Sequence, residues 1–291
     1  MQRSTSFGGH SMVMPLQRVL VRRPDAILAS VDPMVWHYTD SVNHANATQE
    51  HHDFVQMLRD HDVEVLYHEQ TSDQHADAMF VHDPVLMTNQ GAIMLRMGKA
   101  LRRGEEQLMK STLQALHIPI LGELTDPALT EGGDLLWLNE KTLLAGVGFR
   151  TNQEGITQLR HLLTPLGVQV LTFDLPYFLG QDACLHLQSL ISLVDTHTAL
   201  VYMPLLPTAL FQLLQARKFH LIEVPEAEFL SMGPNTLAIK PKLVLAVQGN
   251  PLTKQRLENA GITVLTYKGD DVSLKTEGGP TCLTRPIMRL A

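Results

Sequence analysis

The sequence predicts an α/β fold in which five helix-then-strand units close into a ring with the two chain ends. Three observations carry this. The unit returns at intervals of roughly 45 to 55 residues, a period in the range of repeat architectures. Hairpin signals follow its strands, and hairpins make antiparallel neighbours rather than a doubly wound parallel sheet. The fifth unit lacks a second hairpin strand, and a lone strand near the N-terminus can supply it. Two α/β domains joined near Gly180 are the simpler alternative.

In order, Arg18 to Pro24 reads as a strand stopped by proline. Asn46 to Asp60 reads as a helix with Phe54, Val55, Leu58 and Met57 on its apolar face, and Asp62 to Tyr67 as an alternating strand. Pro84–Thr88 and Ala92–Leu95 flank Asn89-Gln90-Gly91, a hairpin signal. The order then recurs. Helices over Glu105–His117, Gln153–Leu166, Thr208–Lys218 and Thr253–Ala260 lead to strands at Ile118–Leu121, Val168–Phe173, Phe219–Val224 and Ile262–Tyr267. Further hairpins turn at Asn139-Glu140-Lys141, Asp195-Thr196-His197 and Lys240-Pro241-Lys242. A strand through Gly278-Gly279-Pro280-Thr281-Cys282 ends the series.

With 291 residues, 44% of them hydrophobic, the chain can bury a sizeable core. A formal charge of -7 offers no basic footprint for nucleic acid. No apolar run has the length of a signal peptide or a membrane span. We expect one domain over residues 1–291, with residues 1–12 a loose end, in the cytoplasm and possible as a homo-oligomer. The two cysteines, Cys184 and Cys282, make no disulfide framework and suit a reducing compartment.

The phrase Thr-Glu-Gly-Gly occurs twice, at Thr130–Gly133 before Asp134 and at Thr276–Gly279 before Cys282. One copy offers carboxylates and the other a thiol. Three further polar clusters are Asp77 to Pro84, the cation-dense run Arg96 to Glu106, and Cys184-Leu185-His186-Leu187-Gln188. Taken singly, each has a bland reading: a solvated turn, solvated charges, a core histidine. His44, His51 and His52 lack the spacing of a zinc site, and no phosphate-binding glycine loop is present, so neither a metal nor another cofactor is expected. A thiol needs a base or a nearby cation to ionise at neutral pH. Surrounded by carboxylates, it makes sense only for a cationic substrate, with arginines to hold an anionic group at the substrate's other end.

At these residues the sequence resembles the guanidine-modifying superfamily, most closely the dimethylarginine dimethylaminohydrolases. The stretches that carry the resemblance are Asp77–Pro84, Arg96–Glu105, Glu131–Asp134, Phe149–Asn152, Leu185–Leu187 and Gly278–Cys282. The resemblance implies a pseudo-fivefold α/β propeller of five ββαβ modules. It implies Cys282 as nucleophile, His186 as general acid and base, and Glu131 as the carboxylate that orients His186 and binds guanidinium. Asp83 would also hold the guanidinium, Asp77 would lie near the substrate's amino end, and Arg96 with Arg150 would grip its α-carboxylate. The family's usual glutamate before Asp83 is His82 here, which we place in the substrate site with packing as its default role. Arginine deiminases and amidinotransferases usually carry aspartate where this chain has Gln188.

The expected activity is hydrolysis of a C–N bond of a small guanidino substrate, a methylated arginine, to citrulline and an alkylamine through a thiouronium. Arginine deimination, amidino transfer and a non-catalytic binder of arginine-like ligands stay open as alternatives.

Overall fold

The structure is a computed structural model that describes residues 6–70 and 72–290. Its fifteen strands form five separate three-stranded sheets. Four are local. Strands β3 (Val85–Thr88) and β4 (Gly91–Met94) make a hairpin, helix α3 (Glu105–Ala115) crosses over, and β5 (Ile120–Glu123) returns parallel to β4. The same plan builds β6 (Leu135–Asn139), β7 (Thr142–Val147), α4 (Gln153–Leu163) and β8 (Gln169–Asp174). It repeats in β9 (Ile191–Asp195), β10 (Thr198–Val201), α5 (Thr208–Ala216) and β11 (His220–Glu223). The fourth copy is β12 (Thr236–Lys240), β13 (Leu243–Val247), α6 (Pro251–Asn259) and β14 (Thr263–Tyr267).

Local chemistry explains these elements. At the first hairpin turn Gly91 has φ +150, and a Cβ there would stand 2.4 Å from the Pro119 carbonyl, so only glycine fits. Helix α4 starts where the Asn152 side chain accepts from the Gly155 amide at 2.8 Å. Its buried Ile156, Leu159 and Leu163 recur at helical spacing and cover the sheet.

The fifth sheet joins the chain ends. Strand β1 (Leu16–Val21) pairs antiparallel with β15 (Arg285–Arg289) and parallel with β2 (Glu64–Tyr67). Between β1 and β2 run the short helix α1 (Pro33–Trp36) and helix α2 (His44–Arg59), which buries Phe54, Val55 and Leu58 as its sequence pattern requires. The two strands left over in the sequence therefore do pair. One expectation is corrected: Cys282 lies in a turn, and the strand begins only at Arg285. The Gly8 amide donates to the Ile287 carbonyl at 2.9 Å, and the Arg289 amide donates to the Gly8 carbonyl at 2.8 Å. Of the loose end expected over residues 1–12, residues 1–5 lie outside the described residues. No helix among the described residues is long and apolar enough to cross a membrane.

Candidate active site

Each of the five sheets is entered through a loop or 3-10 turn, and each of these segments sends at least one polar side chain into a common cavity. Asp83 precedes β3, Glu131 precedes β6, His186 precedes β9, Asn235 precedes β12 and Cys282 precedes β15. The shared ββαβ plan thus brings a different functional group to the cavity from the segment just before each of these strands, one to five residues ahead of it.

Glu131 has no exposed surface. Its Oε1 accepts from the Gly98 and Lys99 amides, both at 2.9 Å, and its Oε2 accepts from His186 Nε2 at 2.7 Å. Burial pushes its pKa up, but the His186 hydrogen bond and charge, with Arg150 beyond, outweigh this and hold it at about 2. Burial likewise pushes His186 down, while Cys184, Asp134 and Glu131 together raise it well above the ordinary histidine value. Asp134 anchors the histidine's turn: its Oδ1 accepts from the Leu187 amide at 3.0 Å and its Oδ2 from Thr151 Oγ1 at 2.6 Å.

The Cys282 thiol is half-buried, 3.7 Å from Asn235 Nδ2. Asn235 also fixes the turn that carries the thiol, since its Oδ1 accepts from Thr281 N at 3.1 Å and Thr281 Oγ1 at 2.6 Å. Burial, reinforced by Asp83 and opposed by His186, pushes the thiol up to about 12. It is therefore neutral in the free protein.

The paired glycines are dictated by close approach. A Cβ on Gly133 would stand 2.2 Å from His186 Nδ1, and one on Gly279 would stand 2.5 Å from Asn235. A side chain at either position would collide with a group that lines the cavity.

Of the residues expected at the site, Cys282, His186, Glu131, Asp77, Asp83 and Arg150 line this cavity together. Asp83 accepts from Arg102 at 2.6 Å and from the Gly133 amide at 2.8 Å. Burial pushes its pKa up, but Arg102 and His186 hold it well below the carboxylate range. Asp77 accepts from Tyr38 OH at 2.7 Å and from Lys99 Nζ at 2.6 Å.

Two expectations fail. Arg96 points away: its guanidinium donates to Asp126 at 2.8 Å and to the Ala128 carbonyl at 3.0 Å, following an exposed loop. Lys99 and Arg102, later in the same cationic run, line the cavity instead. His82 is walled off. Its Nδ1 donates to the Thr284 carbonyl at 3.0 Å, and its Nε2 accepts from Gln188 Nε2 at 3.0 Å. Burial and Arg285 lower its pKa to about 3, so it is neutral. The two departures from the family pattern, His82 and Gln188, thus turn out to be hydrogen-bond partners.

Sequence reasoning gave no site role to Asn235, Glu277 or Cys184, although the last two lie in stretches it singled out. The Cys184 thiol lies 3.5 Å from His186 Nδ1 and 3.9 Å from its Nε2. Asn235 carries no such signal, since it stands one residue before its strand where Asp83, Glu131 and His186 stand two, four and five residues before theirs. For metal binding, the group with the reach among the described residues is Asp83, Glu131 and His186, whose ligating atoms lie within 4.8 Å of one another. His44, His51 and His52 are not part of it. Arg102, the Gly133 amide and the Glu131–His186 hydrogen bond already satisfy this trio.

Five sheets of hairpin-plus-parallel strand, with a thiol, an imidazole and carboxylates at equivalent entry points, define a member of the guanidine-modifying superfamily. The family model for N,N dimethylarginine dimethylhydrolase, eukaryotic, matches residues 33–289. The dimethylarginine dimethylaminohydrolase of Streptomyces coelicolor is 28% identical over 280 residues, covering 95% of this chain and 99% of that protein. The same-named protein of Pseudomonas aeruginosa is 25% identical over 268 residues, covering 92% and 98%. A solved structure of that Pseudomonas aeruginosa protein, a cysteine-to-serine mutant complexed with citrulline, superimposes with a TM-score of 0.78 at 23% identity, covering 95% of this chain and all of that one. The chain belongs to the dimethylarginine dimethylhydrolase family.

Proposed function

We propose that the protein is a cysteine hydrolase that cleaves a C–N bond of dimethylarginine or monomethylarginine, giving citrulline and an alkylamine. The observation that carries this reading is the buried Glu131–His186 pair, 2.7 Å apart, in one cavity with the half-buried Cys282 thiol. Bringing a guanidinium against Asp83 and Glu131 places positive charge beside the thiol and lowers its pKa from about 12, so the substrate generates its own nucleophile. The thiol loses its proton to solvent, and the Cys282 sulfur bonds to the guanidinium carbon. The C–N bond to the alkylamine breaks, and His186 protonates that amine as it leaves. His186 next removes a proton from water, whose oxygen attacks the same carbon. The S–C bond breaks, the thiol is restored and citrulline leaves.

Glu131 holds the histidine ring in place and offers its charge to the guanidinium. Arg150, tied only loosely to Glu131 at 3.6 Å and to the Asp182 carbonyl at 3.3 Å, takes the α-carboxylate. The five entry loops that meet at this cavity support a pseudo-fivefold propeller, closed by β1 and β15 into one domain that spans the chain. Two free cysteines support a reducing, cytoplasmic setting.

Mass spectrometry of products after separate incubation with dimethylarginine, monomethylarginine, arginine and agmatine tests the reading. Citrulline with dimethylamine or methylamine is expected, and Cys282→Ser should stay folded with activity near background. Citrulline with ammonia from arginine alone would sink it.

A further inference from the structure

Strand β15 begins and ends on an arginine, and both are buried, Arg285 at 6% exposure and Arg289 at 5%. The buried cations beside the active site have acidic partners, Lys99 in Asp77 and Arg102 in Asp83 and Glu105. Arg285 and Arg289 have none among the described residues. Arg285 donates to the His82 carbonyl, and Arg289 donates to the Met14 and Ala238 carbonyls at 2.6 and 2.8 Å. The Nε of each guanidinium is buried without a hydrogen-bond partner, and so is the hydroxyl of Thr236, itself 4% exposed. These three side chains line one small cavity, of about 20 Å³. Leu86, Leu135, Leu193, Leu237 and Arg285 bring to it one strand from each of the five sheets. No Asp or Glu lines it among the described residues. Burial lowers both arginines to about 9, which leaves each a cation at neutral pH.

Two like charges away from water are costly unless something compensates them. A water molecule can accept from an N–H but leaves the charge in place, whereas an anion answers both needs. A cavity of about 20 Å³ admits one particle the size of water. That size excludes phosphate, sulfate and carboxylate ligands and leaves a monoatomic halide. We propose that the cavity where the five sheets meet binds a single chloride-type anion, held by Arg285, Arg289 and the Thr236 hydroxyl. His82 and Gln188 also line this cavity and do not line the active site, so that neutral pair stands between the ion and the substrate. Trp137, Leu193 and Arg289 are shared with a larger cavity of about 380 Å³ among the hairpin turns at Asn89, Glu140 and His197. An ion therefore has a route from the end of the strands opposite Cys282. Glu140 on that route is exposed and makes no ion pair with either arginine among the described residues. The site lies outside the proposed hydrolase chemistry and does not depend on it.

The test pairs a crystallographic probe with a titration, both on the full chain. Crystals grown in sodium bromide without chloride should show a bromine anomalous peak beside Arg285 and Arg289. In solution, potassium chloride replaces potassium gluconate, an anion too large for the cavity, at constant ionic strength. The melting temperature should rise by about 2 °C for each tenfold increase in chloride above the dissociation constant, and stay flat below it. Arg285→Met and Arg289→Met should each remove that rise. Thr236→Val, which keeps the shape and loses the hydroxyl, should weaken it. Ordered water with no anomalous peak overturns the proposal. A peak without the chloride-dependent rise is an adventitious ion only and overturns it as well, as does a rise that both arginine variants retain. Should the arginine variants fail to fold, the bromide map and Thr236→Val decide, and an unchanged rise in Thr236→Val then overturns it.

Discussion

The two Thr-Glu-Gly-Gly copies begin as the same four residues and end as opposites. In the first, Glu131 has extended backbone at φ -111, no exposed surface and partners on both oxygens. In the second, Glu277 has left-handed backbone, lines the cavity while exposed to solvent, and makes no side-chain hydrogen bond or ion pair among the described residues. The glycines behave alike in both copies, because each pair lets a neighbouring group approach within what a Cβ would forbid. What differs is the local turn. A shared motif therefore specifies close packing at its glycines and leaves the job of its glutamate to the backbone that follows.

The sharpest way to break this comparison is Glu131→Gln beside Glu277→Gln. Losing the carboxylate that holds His186 should cost about 10² to 10⁴ in kcat, the usual range for general acid–base catalysis. The Glu277 change should leave kcat almost untouched. Similar kcat losses in steady-state assays would mean the two glutamates share a role.

Next comes Gly133→Ala beside Gly279→Ala. A methyl group 2.2 Å from His186 Nδ1 must displace the ring, and misplacing a catalytic group by about 1 Å can cost about 10² in rate. The second methyl meets Asn235 at 2.5 Å and should destabilise the thiol's turn by about 1–3 kcal/mol, with a smaller effect on kcat. Denaturant midpoints read beside kcat separate the two; a larger kcat loss for Gly279→Ala would place the sensitive contact at the thiol.

The smallest effects lie in pH. Glu131 has a folded pKa of about 2, below its unfolded value, so its contribution to stability is present above the ordinary glutamate pKa and is lost as pH falls toward 2. Glu277 is shifted upward, so the native state binds the proton more readily and stability falls as pH rises through its window. Melting curves across pH 2 to 7 should show Glu131→Gln flattening the acid limb. Glu277→Gln should change only the region just above the ordinary glutamate pKa, and with opposite sign. His82, lowered to about 3, adds acid sensitivity to both backgrounds as pH falls below the unfolded histidine value.

Much of this was legible in the sequence, for physical reasons. Helical and alternating periodicities survive in a single chain, so the repeating units could be counted, and glycine pairs beside rare thiol and carboxylate groups stood out. Arg96 was misplaced because four cations crowd one short run, and nothing in their spacing says that the 3-10 turn Ala100–Arg102 carries Arg102 inward. Asn235 looked like any residue between proline and a strand. His82 and Gln188 lie 106 positions apart, and only the fold reveals that one hydrogen-bonds the other.

The fifth sheet carries a consequence for how the molecule is made. Four sheets join strands close in sequence, while the fifth joins β1 to β15, residues 16–21 to residues 285–289. Long-range pairings bear the largest loop-closure cost and form late. The Cys282 turn lies three positions before β15, so its thiol enters the cavity only when that strand docks. Until β15 pairs with β1, Asp83, Glu131 and His186 can stand in place without the thiol, so the pairing of the two most distant strands completes the cavity.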